Sequence, residues 1–323
     1  MRRTLTIQML GLLLAVSGIV TACQRAASNG KPTAVATIFC YYDALRFIGG
    51  DKINAVLLLP PRTSPHEYEP PVQAKSQVQA AQLIISNGLG LDPWIDKLAA
   101  GNEGAIKLKI SARIPVALLH TAETTLDDPA ATQGTPGVAG GVAKKEQEDY
   151  SQGNPHIWLD PTVQIAAAEQ IRDALAQIDP ANQAYFNTQA AAYIKEIQAL
   201  DQEIMQAAAG FVRKDFIGFH SAYDYLAQRY GLRQIAALEE YPEQGITKGQ
   251  AERVIKLIRE KNIKVIFTEN PMQSKDANLI VRETGGGVKL GVLQPLETYD
   301  DAKDTYVSLM RQNLESLKLA LGQ

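Results

Sequence analysis

The sequence predicts an α/β protein of two lobes, each a mainly parallel sheet flanked by helices, joined by one long α-helix. Three observations carry this. Short β-rich runs alternate with helical stretches in both halves of the chain, the pattern of parallel βαβ units. One helical periodicity spans residues 179–209, too long for a single small domain to need. The length, 323 residues, suits about two domains. A hydrophobic content of 46% with 21% charged residues excludes a disordered or polytopic membrane chain. The net charge of -3 offers no basic excess for nucleic-acid binding.

The elements follow in order. Arg2 and Arg3 precede an apolar run from Leu5 to Val20, the pattern of a secretory signal peptide. The run closes on Val20-Thr21-Ala22-Cys23, which resembles the lipobox of bacterial lipoproteins. That resemblance implies a signal peptide over 1–22, removed before a lipidated Cys23. Residues 23–33 are small and polar after the cysteine and read as a tether. Cys40 is then left without a disulfide partner and is expected to be a small buried apolar group.

The first lobe is expected over 34–178. Its strands are read at Ala34–Phe39, Asn54–Leu59, Gln82–Ser86 and Val116–Leu119, with helices at Tyr42–Ile48, Val72–Ala81, Pro93–Ala100 and Pro161–Ile178. Asp160 is a suitable N-cap and Pro161 fits the first helical turn. Residues 121–153 are glycine-rich and acidic without apolar periodicity and read as a long exposed loop. A linking helix is expected over 179–210. The second lobe, 211–323, alternates again: strands at Phe216–Phe219, Lys264–Thr268 and Val288–Leu293, and helices at Ala222–Tyr230, Thr247–Lys261, Lys275–Glu283 and Thr305–Leu321.

The four histidines are the chemically informative residues. His66 follows the second strand in Thr63-Ser-Pro-His-Glu-Tyr-Glu-Pro70. His156 lies in Asn154-Pro-His-Ile-Trp-Leu-Asp-Pro161, where the long loop re-enters structure, and His220 ends a strand in Phe219-His-Ser-Ala-Tyr-Asp-Tyr225. Ligands in open α/β sheets bind at the carboxyl ends of strands, and imidazoles suit zinc. A three-histidine metal site between the lobes is therefore one reading; satisfied structural histidines are the other. His120 borders the loop and is expected to be structural or auxiliary.

Those three stretches, with Ile48-Gly-Gly-Asp51, Gly88-Leu-Gly-Leu-Asp-Pro-Trp94 and Ile266-Phe-Thr-Glu269, resemble the metal-binding solute-binding proteins of bacterial zinc and manganese ABC importers. The resemblance covers essentially all of 33–321. It implies Rossmann-like lobes on a helical spine, with metal in the interlobe cleft. It implies His66 and His156 as ligands from the first lobe and His220 from the second. Manganese members usually carry glutamate where this chain has His220, so the resemblance favours Zn2+ over Mn2+. The family's fourth ligand is often an aspartate in Leu-Asp-Pro-Leu; here Leu293-Gln-Pro-Leu296 puts Gln294 there. The candidates for the fourth place are Gln294, Glu67 and water. The histidine-rich loop of many zinc members has no counterpart in 121–153.

The expected function is capture of Zn2+ outside the cytoplasmic membrane, at the periplasm or cell surface, by a lipid-anchored monomer. Delivery would be to an ABC permease and its ATPase. Uptake of manganese or another divalent metal, and an adhesin-like surface role, are the alternatives. A zinc-dependent hydrolase is a remote one: the second histidine of H-E-x-x-H is missing after His66, and no Gly-x-Ser-x-Gly elbow occurs. The chain is read as a non-enzyme.

Overall fold

The structure, a computed structural model, describes residues 30–115, 119, 153–238, 246–269 and 274–322. The signal peptide, Cys23, His120 and nearly all of 121–153 lie outside the described residues.

The described residues form two parallel four-stranded sheets of the same topology. The first holds β1 (Thr33–Ala36), β2 (Asn54–Leu57), β3 (Leu83–Ser86) and β4 (Ile106–Lys109) in the order β2-β1-β3-β4. The second holds β5 (Asp215–Gly218), β6 (Arg233–Ala237), β7 (Val265–Thr268) and β8 (Lys289–Val292) in the order β6-β5-β7-β8. Central strands such as β3 and β7 are buried along their whole length, which explains their unbroken apolar runs. The fourth strand of the described first sheet lies before the segment expected at 116–119. It is Ile106-Lys-Leu-Lys109, whose lysines face out while Leu108 is buried. Such alternation marks an edge strand. Residues 116–118 lie outside the described residues, and β6 is a strand the sequence reading did not identify.

Around the first sheet lie α1 (Phe39–Gly49), α2 (Val72–Ala80), α3 (Trp94–Ala99) and α4 (Pro161–Ile178). Asp160 caps α4, its carboxylate accepting from the Thr162 N–H at 2.7 Å, with Pro161 in the first turn. The linking helix α5 runs from Gln183 to Ala209, about 40 Å at 1.5 Å per residue. It forms a hairpin with α4, packs on α1, and meets the last helix on its other flank. The second lobe carries α6 (Asp224–Arg229), α7 (Lys248–Lys261), α8 (Ser274–Glu283) and α9 (Tyr306–Leu321). Thr247 and Thr305 close capping boxes on α7 and α9, each satisfying amides that a helix start leaves open.

One apolar cluster crosses both lobes. It includes Phe39, Ile171, Leu200, Leu226 and Leu314, from α1, α4, α5, α6 and α9. Smaller clusters fill the outer face of each sheet. Ionic ties accompany the shared core. Asp43 of α1 accepts from the Tyr193 hydroxyl of α5 at 3.0 Å and from the Tyr306 N–H of α9 at 3.0 Å. Arg229 of α6 pairs with Asp201 of α5 at 2.6 Å and reaches Asp160 at 3.4 Å. Separating the lobes widely would break this core, so their relative motion is restricted to what those contacts allow.

Candidate metal centre

Among the described residues, one group of side chains has the make-up of a metal site: His66, His156, His220 and Glu297. Their ligand atoms lie within 4.8 Å of one another. The three imidazoles have no solvent-exposed side-chain surface.

Each side chain is delivered by a local device. His66 sits in a single 3-10 turn, Pro65–Glu67, whose start is capped by Ser64. The prolines around it fix the backbone of this connection after β2. Thus the strand end places the turn, and the turn aims the ring.

His156 lies at a point gripped from below. The Asn87 amide, at the carboxyl end of β3, donates to the Pro155 carbonyl at 3.0 Å. Asn87 is itself held by the Tyr41 hydroxyl at 2.6 Å. Asp92 ties the loop after β3, accepting from Thr37 Oγ1 at 2.6 Å and from the Asn87 and Gly88 amides. Burial raises the Asp92 carboxyl above its ordinary range, against the pull of these bonds. Trp158 packs 5.3 Å from the His156 ring and donates to the Pro295 carbonyl at 2.7 Å. It thus packs beneath the His156 ring. Trp94 instead stacks edge-on against Tyr68.

His220 lies two residues beyond the end of β5, at the crevice between β5 and β7 where the strand order reverses. Its Nδ1 meets the Glu269 carboxylate at the end of β7. This pairing orients the ring and leaves Nε2 toward the centre. His156 is oriented by a neutral group instead: its Nδ1 lies 2.7 Å from Asn154 Oδ1.

The fourth member of the group is Glu297, whereas the backbone of Gln294, one of the expected candidates, is engaged elsewhere. Gln294 is stapled to α9, its N–H donating to Asn313 Oδ1 at 2.7 Å while Asn313 donates back to its carbonyl at 2.8 Å. Leu296 then takes a left-handed conformation, φ 60°, which turns the chain after the Leu-Gln-Pro-Leu stretch. Glu297 follows this turn, and its carbonyl accepts from the Phe39 N–H at 3.0 Å. Its Oε1 lies 3.0 Å from His66 Nε2, 2.9 Å from His156 Nε2 and 3.6 Å from His220 Nε2. Glu67 is not a member of the group. The resemblance points to the residue before Pro295; the carboxylate of the group stands two residues after that proline. An available signal was the first carboxylate beyond the last strand, the counterpart of His220 beyond β5.

The electrostatics are uneven. Burial lowers the His156 pKa to about 4, despite the nearby Glu297. Burial pulls His220 down as well, but the charge and bonds of Glu269 and Glu297 outweigh it and raise the pKa to about 9. Burial pushes the Glu297 carboxyl up, yet His66 and the other two imidazoles hold it well below its usual range. Without metal, the cluster therefore keeps a proton on His220 and a neutral ring at His156. A metal ion must displace that proton.

The profile of the family described as "zinc-uptake complex component A periplasmic" matches residues 34–320. The zinc-binding lipoprotein AdcA of Streptococcus pneumoniae is 29% identical over 94% of this chain and 59% of its own length. This chain thus spans little more than half of that relative. The high-affinity zinc uptake system protein ZnuA of Bacillus subtilis is 28% identical, with 94% of each chain covered. The solved Zn(II)-bound ZnuA-like domain of Streptococcus pneumoniae AdcA superposes with a TM-score of 0.72 at 28% identity, covering 91% of this chain and 100% of that one. With the family profile spanning both lobes and all four clustered residues, the chain belongs to the periplasmic zinc-uptake component A family.

Proposed function

We propose that this protein captures Zn2+ as cargo between its lobes and delivers it to an ABC permease driven by its ATPase. His66, His156, His220 and Glu297 are the ligands in this reading, and Cys23 carries the lipid that keeps the protein at the membrane. The observation that carries it is the convergence of three Nε2 atoms on one carboxylate oxygen, 2.9, 3.0 and 3.6 Å away. Zinc bonds of about 2.0–2.1 Å in a tetrahedron set ligand atoms about 3.3 Å apart, so the group needs little rearrangement. The choice of Zn2+ over Mn2+ is supported by the donor set, since three imidazoles and one carboxylate are borderline-soft and manganese favours oxygen. The relatives' zinc-binding names support it as well. All four donors are spent on the ion, which suits a carrier better than a hydrolase needing an open position. No helix among the described residues is long and apolar enough to cross a membrane.

The test uses the form lacking residues 1–23, titrated with zinc and with manganese while bound metal is counted. One tightly held zinc per chain, lost in His220→Ala, is expected. Manganese bound in preference to zinc would favour the manganese reading.

A further inference from the structure

Asn154 occupies a position that orienting a histidine does not by itself require. It is fully buried. Its Oδ1 accepts from both the backbone N–H of His156, at 3.0 Å, and its ring Nδ1, at 2.7 Å. Its Nδ2 donates to the Ser221 carbonyl at 2.8 Å and to Asp224 Oδ2 at 3.1 Å. Its own carbonyl accepts from the Tyr225 hydroxyl at 2.8 Å. Ser221, Asp224 and Tyr225 all belong to the stretch that follows His220. The next residue, Pro155, is held by Asn87 of the first lobe. Two adjacent residues are thus gripped by opposite lobes, with a ligand histidine directly after them.

We propose that Asn154 is a positioning residue that makes the aim of His156 conditional on the second lobe being seated. Resting on the zinc reading above, the inference assigns to this amide the coupling between lobe apposition and metal retention. While residues 221–225 stay in place, the amide plane is fixed from one side and the imidazole from the other. When they move away, Asn154 loses three anchors and the His156 ring is no longer locked. Only an amide can do both tasks: its oxygen faces a ring N–H, and its nitrogen faces a carbonyl and a carboxylate.

The substitution Asn154→Asp separates the two halves. It retains an acceptor for His156 but turns an oxygen toward the Ser221 carbonyl and Asp224. If Asn154 served only to orient the ring, this carboxylate would hold His156 as Glu269 holds His220, and zinc binding would be unchanged or tighter. The proposal expects Asn154→Asp to weaken zinc binding by about 10–100-fold, as loss of a group that orients a ligand does. Adding Asp224→Asn returns the amide to the opposite side of the same contact and is expected to restore most of the affinity. Tyr225→Phe, which deletes one hydroxyl, is expected to speed zinc release into a chelator by about 2–10-fold, the equivalent of one hydrogen bond. It keeps the question open to test if the Asn154 variants fail to fold, which melting of the metal-free proteins would reveal. Wild-type affinity in Asn154→Asp, or a double variant no better than the single one, overturns this inference alone. Failure of the unsubstituted protein to take up zinc overturns the functional reading and this inference together.

Discussion

The two lobes bring the same side chain to the cluster in different electrical surroundings. His156, from the first lobe, leans on a neutral amide and has its pKa lowered to about 4 by burial. His220, from the second, leans on the Glu269 carboxylate and rises to about 9 although it too is buried. Burial is total for both rings, so the partner on the far nitrogen makes the difference. A neutral partner supplies a ligand ready for metal. A charged partner supplies a more basic ligand that must first give up a proton.

The largest expected effects break the comparison by removing one side. His220→Ala and Glu297→Ala should each weaken zinc binding by more than the about 10–100-fold typical of groups behind the ligands, checked by competition with a chelator of known affinity. Glu269→Gln then sharpens it. In the unsubstituted protein, zinc binding at pH 7.5 should release about one proton, mainly from His220. The variant should release fewer, because His220 loses the stronger of the two carboxylates that hold it charged. Calorimetry in buffers of different ionisation enthalpy counts these protons.

The pH dependence of the metal-free protein follows from the same pair. His220 has a raised pKa, so its contribution to stability is complete below about 6.5, the ordinary histidine value, and is lost as pH rises through about 9. His156 has a lowered pKa, so its contribution is complete above about 6.5 and is lost as pH falls toward 4. Glu297, held below its usual range, adds to the loss on the acid side. Metal-free melting temperature should therefore be highest near neutrality. The zinc-induced rise in melting temperature should grow between pH 6.5 and 9, as protons cease to compete for His220. Scanning calorimetry with and without zinc at four pH values checks both signs.

The smallest effect is expected at an exposed ion pair between the lobes. Arg62 and Asp300 pair across the lobes at 3.0 Å but are 73% and 65% exposed. Such pairs contribute about 0–1 kcal/mol. Arg62→Ala should change zinc release by less than about fivefold, with the difference vanishing in high salt.

Much of this arrangement was legible in the sequence, for physical reasons that differ by element. α4 was readable because Asp160 and Pro161 are chemical start signals, and α5 because its periodicity is long. The three histidines were legible because each follows a strand or re-enters structure within a proline-bearing motif. β4 was hidden because an edge strand alternating with lysine carries little apolar signal. β6 was hidden because Arg233 and Gln234 interrupt its apolar pattern. Glu297 was missed because its aim depends on a left-handed leucine, which no composition rule anticipates. Glu269 and Asn154 stood in recognisable motifs, yet their roles are set by contacts with residues 49 and 67–71 positions away.

X-ray absorption at the zinc edge of the loaded protein counts the atoms bound to the ion. Three imidazole nitrogens and one carboxylate oxygen at about 2.0–2.2 Å are expected, with one imidazole lost in His220→Ala. A sulfur ligand at about 2.3 Å, or an imidazole count that His220→Ala leaves unchanged, would contradict this ligand set.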